Sequence, residues 1–167
     1  MHPTEPARRK RLLAVFSAIA ILLLIGALAA YAAQPVLRIK NLETGEVYAE
    51  AKASPGDELF FGWLHSLEKI PWNEWYTIEK DRTLTLHTMS FPAFGAGIPC
   101  DKGTPRIENG IIFYENIGQS FALLKWLNST YTKDIILNGT FLASGDTLPD
   151  HEILILTIER RGLHVGK

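Results

Sequence analysis

Cysteine is almost absent from this sequence, since Cys100 is the only one in 167 residues. A single thiol excludes an intrachain disulfide and a cysteine-based zinc site. The folded part must therefore be stabilised by its hydrophobic core alone. We expect Cys100 to be a small buried apolar residue.

The motifs of a serine hydrolase and of a nucleotide-binding site are also missing. No G-x-S-x-G elbow surrounds Ser66, and adjacent strand residues such as His65 and Ser66 point to opposite faces, which argues against a serine hydrolase. Gly95 and Gly97 do not continue into G-x-G-x-x-G, which argues against a nucleotide site. No amphipathic stretch is long enough to predict alternating strand and helix units, and there is no internal repeat.

Acidic residues outnumber basic residues after residue 11. The first eleven residues hold four of the 17 basic residues and one of the 18 acidic residues, so the remainder has a net charge of −4. Nucleic-acid binding requires a basic surface. We therefore expect no nucleic-acid partner, and nothing in the sequence predicts a cofactor.

A long uncharged segment follows the basic cluster Arg8-Arg9-Lys10-Arg11. Residues 12–33 would form a helix of about 33 Å, enough to cross a bilayer core of about 30 Å. The preceding positive charge predicts a cytoplasmic segment 1–11, a single span 12–33 contacting the lipid bilayer, and an extracytoplasmic domain 34–167 at the cell (inner) membrane. Ala30-Tyr31-Ala32 also has the form of a signal-peptide cleavage site. An uncleaved anchor is favoured because the apolar run exceeds the roughly 7–15 residues of a signal core.

The remaining chain has the pattern of short strands separated by turns. Apolar residues alternate in the segments 36–39, 46–50, 83–91 and 152–160, and Asn138-Gly139 fits the two positive-φ positions of a type I′ hairpin. We expect residues 101–110 to form a loop and residues 120–127 to form one strand. The spacing predicts an all-β fold, an antiparallel β-sandwich of about nine strands after one N-terminal transmembrane helix.

Two short clusters stand out between residues 59 and 99. The first runs from His65 to Pro71 and on to Glu74, and the second is Phe94 to Pro99. The first begins where a strand ends, a position at which functional groups often lie, and the glycines of the second suit a tight turn. If the two strands between the clusters fold back on each other, the clusters meet and form one binding surface. Its candidate residues are His65, Ser66, Glu68, Lys69, Pro71, Glu74, Phe94, Gly95, Ala96, Gly97 and Pro99.

Two other interpretations of these clusters remain. His65, Glu68 and Glu74, with His87 added from a neighbouring strand, would suit a metal-dependent or carboxylate-based enzyme. Alternatively, these residues only set the fold: His65 and Ser66 would satisfy backbone groups at the strand end. Trp72, next to Pro71 in a predicted loop, is expected to be exposed, where it would contact a partner or the membrane interface.

The same two clusters resemble a family of small bacterial and archaeal proteins known as domain-of-unknown-function family 1850. Its members contain a sequence similar to HS-x-E-K-x-P-x-x-E, followed by one similar to FGAG-x-P. Both patterns occur here in that order. The resemblance extends over about residues 36–160.

This resemblance implies a role but no chemistry. Members are typically encoded beside the membrane subunits of TRAP transporters of the TAXI type, which import organic acids by means of an ion gradient and an extracytoplasmic binding protein. It therefore implies an accessory or binding module whose partner is the transporter's membrane subunit or its solute-binding protein. We expect binding rather than catalysis.

Overall fold

A computed structural model describes residues 5–92 and 102–162. They form two compact units. One contains helix α1 (Glu5–Ala33), Gln34 and residues 160–162, and the other is Pro35–Glu159. In the first unit the amide of Gly162 donates to the carbonyl of Ala32 at 3.0 Å, and the guanidinium of Arg161 lies over the ring of Tyr31.

Helix α1 contains the apolar segment predicted from the sequence. Its residues Leu12–Ala33 are long and apolar enough to cross a membrane. Leucine, isoleucine and alanine have high or moderate helix propensity, and the segment contains no proline. The helix is compatible with a membrane anchor or with a signal sequence.

The larger unit consists of two antiparallel sheets, as the turn spacing predicted. The described residues contain eleven strands: β1 Pro35–Asn41, β2 Val47–Lys52, β3 Glu58–Leu64, β4 Pro71–Ile78, β5 Leu84–Phe91, β6 Thr104–Glu108, β7 Ile111–Phe121, β8 Leu124–Leu127, β9 Thr132–Leu137, β10 Thr140–Ala143 and β11 Ile153–Arg160. The smaller sheet has the order β2-β1-β11-β8, and the larger has the order β10-β9-β3-β4-β5-β7-β6.

Alternating apolar residues place the main core between the sheets. Leu37 and Ile39 of β1 are fully buried, as are Leu154 and Leu156 of β11, and they belong to one core cluster with Leu59 of β3. Residues two apart on a strand share a face, so each strand contributes every second side chain. This core supplies the stabilisation expected of a chain without a disulfide.

Two predicted segments differ from the structure. Residues 101–110 were expected to form a loop, but Thr104–Glu108 is the edge strand β6, which pairs with β7. Asn109 and Gly110 have φ of +51° and +79° and turn the chain between these strands. Residues 120–127 were expected to be one strand, but they belong to two, because a bend at Ala122 sends β7 to the larger sheet and β8 to the smaller.

Candidate functional site

The first cluster forms the tight connection between β3 and β4. The amide of His65 donates to the carbonyl of Ile70 at 2.9 Å, and the amide of Lys69 donates to the carbonyl of His65 at 2.8 Å. Lys69 has a φ of +58°, a left-handed conformation that closes the turn. Nδ1 of His65 lies 3.4 Å from the amide of Glu68, so part of this cluster does satisfy backbone groups at the strand end.

Aromatic rings stack beside this turn. Trp63 and Trp72 are direct cross-strand partners with ring centroids 5.2 Å apart, and His65 stacks on Trp72 at 5.8 Å. Trp72 also stacks on Phe91 of β5 at 4.8 Å. The expectation that Trp72 is exposed is therefore wrong: it lies within strand β4, on the inward face, and only 6% of its surface is accessible.

A cavity of about 770 Å³ lies between the two sheets next to this stack. Phe61 and Trp63 of β3 line one side, and Leu124 and Trp126 of β8 line the other. Most of the exposed surface of the cavity is apolar, although eight of the sixteen lining residues are polar or charged: Ser66, Glu74, Tyr76, Lys125, Ser129, Tyr131, Thr132 and His151. A mostly apolar wall with a few polar groups is typical of a small-molecule site.

Glu74 is the carboxylate of this cavity. It points from β4 towards the smaller sheet because it alternates with Trp72 and Tyr76 on the inward face. The hydroxyl of Tyr76 donates to Oε2 of Glu74 at 2.6 Å, and Nε1 of Trp72 donates to Oε1 at 3.1 Å. Part of the Glu74 surface remains accessible since it faces the cavity, although the residue is shielded from bulk solvent.

The environment of Glu74 has opposing effects on its pKa. Burial raises the pKa above its usual value, and this is the largest effect. Hydrogen bonds from Tyr76, Trp72 and, to the smallest extent, Trp63 favour the charged form and lower the pKa. Burial also raises the pKa of the Tyr76 hydroxyl, and the neighbouring Glu74 charge adds to this effect, so Tyr76 stays a donor at physiological pH.

Lys69 lies beside Tyr131, one of the lining residues. Its Nζ contacts the Tyr131 hydroxyl and is 4.2 Å from the centre of the ring. The amide of Leu64 donates to the Tyr131 carbonyl at 2.8 Å, which brings the segment before β9 next to the first cluster.

A loop fixed by Asn128 carries His151 to the cavity. The Asn128 side chain is fully buried, and its Nδ2 lies 3.0–3.2 Å from the carbonyl oxygens of Gly145, Leu148 and Pro149. The amide of His151 donates to the carbonyl of Asn128 at 3.0 Å. Most of the His151 side chain is exposed, and its Nδ1 lies 2.8 Å from Oδ2 of Asp150.

The metal-site interpretation does not agree with the geometry. Over residues 5–92 and 102–162, no three His, Cys, Asp or Glu side chains come close enough to share a metal ion. His65 stacks on Trp72, whereas Glu74 is bonded to Tyr76 and Trp72. His87 contacts Thr88 and lies 3.8 Å from Glu58, so it does not join the proposed ligands.

The structure brings only some of the predicted site residues together. Ser66 and Glu74 line the cavity, and His65 and Lys69 contact residues that line it. Glu68 and Pro71 are exposed and are not part of the lining. The second cluster, Phe94, Gly95, Ala96, Gly97 and Pro99, lies outside the described residues, as does Cys100, so its meeting with the first cluster stays a prediction.

Several lining residues were missed from the sequence. Tyr76 had a detectable signal, because it lies two residues after Glu74 on a predicted strand and so shares its face. The β8 residues and His151 had no such signal in the sequence. The β8 residues reach the cavity because β8 pairs with β11, and His151 reaches it because of the loop fixed by Asn128.

Comparison with known protein families gives one match. A family model described as "Domain of unknown function (DUF1850)" matches residues 60–140. The resemblance predicted from the two clusters is thereby confirmed. This range contains all of the cavity-lining residues except His151. No curated protein and no solved structure matches the chain.

Proposed function

We propose, on the premise that this chain carries a domain of family DUF1850, that it is a membrane-anchored extracytoplasmic binding module. The cavity between the sheets holds a small, mainly apolar molecule. The module serves as an accessory component of a TAXI-type TRAP transporter. The proposed ligand binding rests on the cavity, and the proposed role at the transporter rests on the family resemblance.

The cavity is the observation that carries this proposal. Its volume of about 770 Å³ falls within the roughly 300–1,000 Å³ of small-molecule sites. Phe61, Trp63, Phe121, Leu124 and Trp126 offer apolar surface to a ligand. Each Å² of apolar ligand surface that leaves water contributes about 25 cal/mol, so a ligand with an apolar body is favoured over a wholly polar one.

The apolar helix supports the location. Leu12–Ala33 follows the basic cluster Arg8–Arg11, and positive charge before a span is retained on the cytoplasmic side. This order supports a cytoplasmic N-terminus, with the sheets outside the cytoplasm at the inner membrane. A reporter enzyme that is active only after export, fused after residue 167, should be active, and extraction at alkaline pH should leave the full chain in the membrane fraction.

Binding in the cavity is testable with a neutral apolar probe. Adamantanemethanol, a compact alcohol, should bind the full chain in lipid nanodiscs, as measured by isothermal titration calorimetry with empty nanodiscs subtracted. Leu124→Trp fills the cavity and should weaken binding about tenfold or more. Leu42→Trp, in the turn after β1 and outside the cavity, is the matched control. If the probe does not bind, or if both variants bind equally well, the cavity is not the site.

The transporter partner requires a separate experiment. Affinity purification of the tagged full chain from its native membrane should recover a TRAP membrane subunit or solute-binding protein. Recovery should persist when the helix is replaced by an unrelated membrane span, since the module rather than the anchor makes the contact. If neither transporter component is recovered, the accessory role is wrong, whereas the ligand-binding function is judged by the probe alone.

A further inference from the structure

The carboxylate of Glu74 has an acceptor position to spare. An ionised carboxylate offers about four acceptor positions. Tyr76, Trp72 and Trp63 supply its hydrogen bonds, all from neutral donors. The part of Glu74 that remains accessible faces the cavity, so the remaining acceptor position is open to a ligand there.

The cavity holds no cation that neutralises this charge, among the residues the structure describes. Lys125 and His151 also line it, but neither contributes to the pKa of Glu74. Lys125 is exposed, and the His151 imidazole lies against Asp150. Tyr76 and Tyr131 also line the cavity, and each contributes a hydroxyl group rather than a cation. The wall of the cavity therefore combines apolar surface with one carboxyl group, that of Glu74, which no lysine, arginine or histidine contacts in the described part of the chain.

This combination selects a ligand of definite chemistry. A second anion beside Glu74 would be repelled in a medium where water screens little, whereas an ammonium group would both neutralise the carboxylate and donate to it. Neutral polar ligands gain only the hydrogen bond. We infer that the cavity takes an apolar amine, with its ammonium group on the carboxylate of Glu74 and its hydrocarbon body against Phe61, Leu124 and Trp126. This inference rests on the proposed ligand-binding function.

Three probes of one shape test the inference. Adamantanemethylamine, adamantanemethanol and adamantanecarboxylate share a hydrocarbon cage and differ in the charge of the attached group. Calorimetry of the full chain in nanodiscs at neutral pH should give an affinity for the amine about tenfold or more above that for the alcohol. The carboxylate should bind more weakly than the alcohol.

Variants then assign the selectivity to one residue. Glu74→Gln keeps the size of the side chain and removes its charge, so amine affinity should fall to that of the alcohol. The ratio of amine affinity to alcohol affinity in this variant is the readout, because a general loss of the cavity lowers both affinities whereas loss of the charge removes only the advantage of the amine. Glu43→Gln, in the exposed turn after β1, removes a charge outside the cavity and should leave all three affinities unchanged.

The outcomes separate this inference from the proposed function. If none of the three probes binds, ligand binding in the cavity is wrong. If the alcohol binds but the amine binds no more tightly, or if the amine keeps its advantage in Glu74→Gln, the function stands and the amine assignment is overturned.

Discussion

Tyr76 donates a 2.6 Å hydrogen bond to Glu74, the residue two positions earlier on the same strand. The pair forms within β4 because residues i and i+2 share a face. Both side chains point into the cavity between the sheets, where Glu74 is shielded and Tyr76 is 3% accessible. The strand itself thus supplies a shielded carboxyl group with its shortest hydrogen bond.

Removing this donor should destabilise the fold. Tyr76→Phe keeps the ring and deletes the hydroxyl, so Glu74 keeps its burial and loses a hydrogen bond. The free energy of unfolding should fall by about 1–3 kcal/mol at neutral pH, measured by urea denaturation of the full chain in nanodiscs. Tyr48→Phe is the matched control, because Tyr48 is only half-buried and donates to Glu152 at 2.7 Å. A loss in the control equal to that in Tyr76→Phe would contradict the importance of burial.

Stability should depend on pH through Glu74. Burial raises the pKa of Glu74 in the folded state above its ordinary value of 4.5, so the folded chain binds this proton more tightly than the unfolded chain does. The contribution of Glu74 to the free energy of unfolding is therefore fully present below pH 4.5. It is lost as pH rises through the folded-state pKa.

Glu74→Gln isolates this effect, since all other titrations are common to the two proteins. The unfolding free energy of the wild type minus that of Glu74→Gln should decrease as pH rises above about 4.5, the ordinary pKa of this group. Urea denaturation at a series of pH values measures the difference. A difference that is constant or increases with pH would show that the charged form is not penalised in the fold.

The loop beyond β10 should depend on the amide of Asn128. Its Nδ2 is directed at three carbonyl oxygens, and Asn128→Asp replaces this donor with a carboxylate that faces the same oxygens. We expect a loss of about 3 kcal/mol or more in unfolding free energy.

Asn138→Asp is the matched control for this change. Oδ1 of Asn138 accepts from the amide of Glu58, and aspartate retains that acceptor and suits the same turn. Its unfolding free energy should change by less than about 0.5 kcal/mol. Equal losses in the two variants would contradict the assigned role of Asn128.

Gly145 should not tolerate a side chain. A Cβ at this position would lie 2.3 Å from the carbonyl oxygen of Ser129 and 2.5 Å from that of Thr132, both of them backbone atoms next to the cavity. Gly145→Ala should therefore lower the thermal midpoint and weaken adamantanemethanol binding together. At Gly62 the nearest atom is 3.1 Å away on the Phe60 ring, which can move, so Gly62→Ala should lower the midpoint less. The reverse order would contradict this account.

Local turn chemistry made part of the fold predictable. Asn138 and Gly139 have φ of +48° and +75°, as a type I′ turn requires, and they join β9 to β10. The pair Asn109-Gly110 makes an equivalent turn, but it lies in a polar stretch. Strand β6 beside it is exposed throughout, so no apolar alternation marks it. An edge strand that contributes nothing to a core leaves little trace in the sequence.

The site was predictable only where it follows the chain locally. Glu74 and Ser66 were identified from one cluster, and both line the cavity. The opposite wall forms where the chain passes from the larger sheet to the smaller between Phe121 and Leu124. That crossing is a bend within a continuous apolar run, so the sequence favoured one strand. Which sheet each half joins depends on pairing with strands distant along the chain.

The order of strands in the smaller sheet sets when the cavity can exist during synthesis. β8 carries one wall of the cavity, but its sheet partner is β11, the last strand in the described part of the chain. A nascent chain that ends just before Ile153 contains every lining residue and still lacks the strand that holds β8 in place. The proposed ligand binding therefore requires that β11 has been made, and a ligand that stabilises the folded domain would favour complete chains over truncated ones.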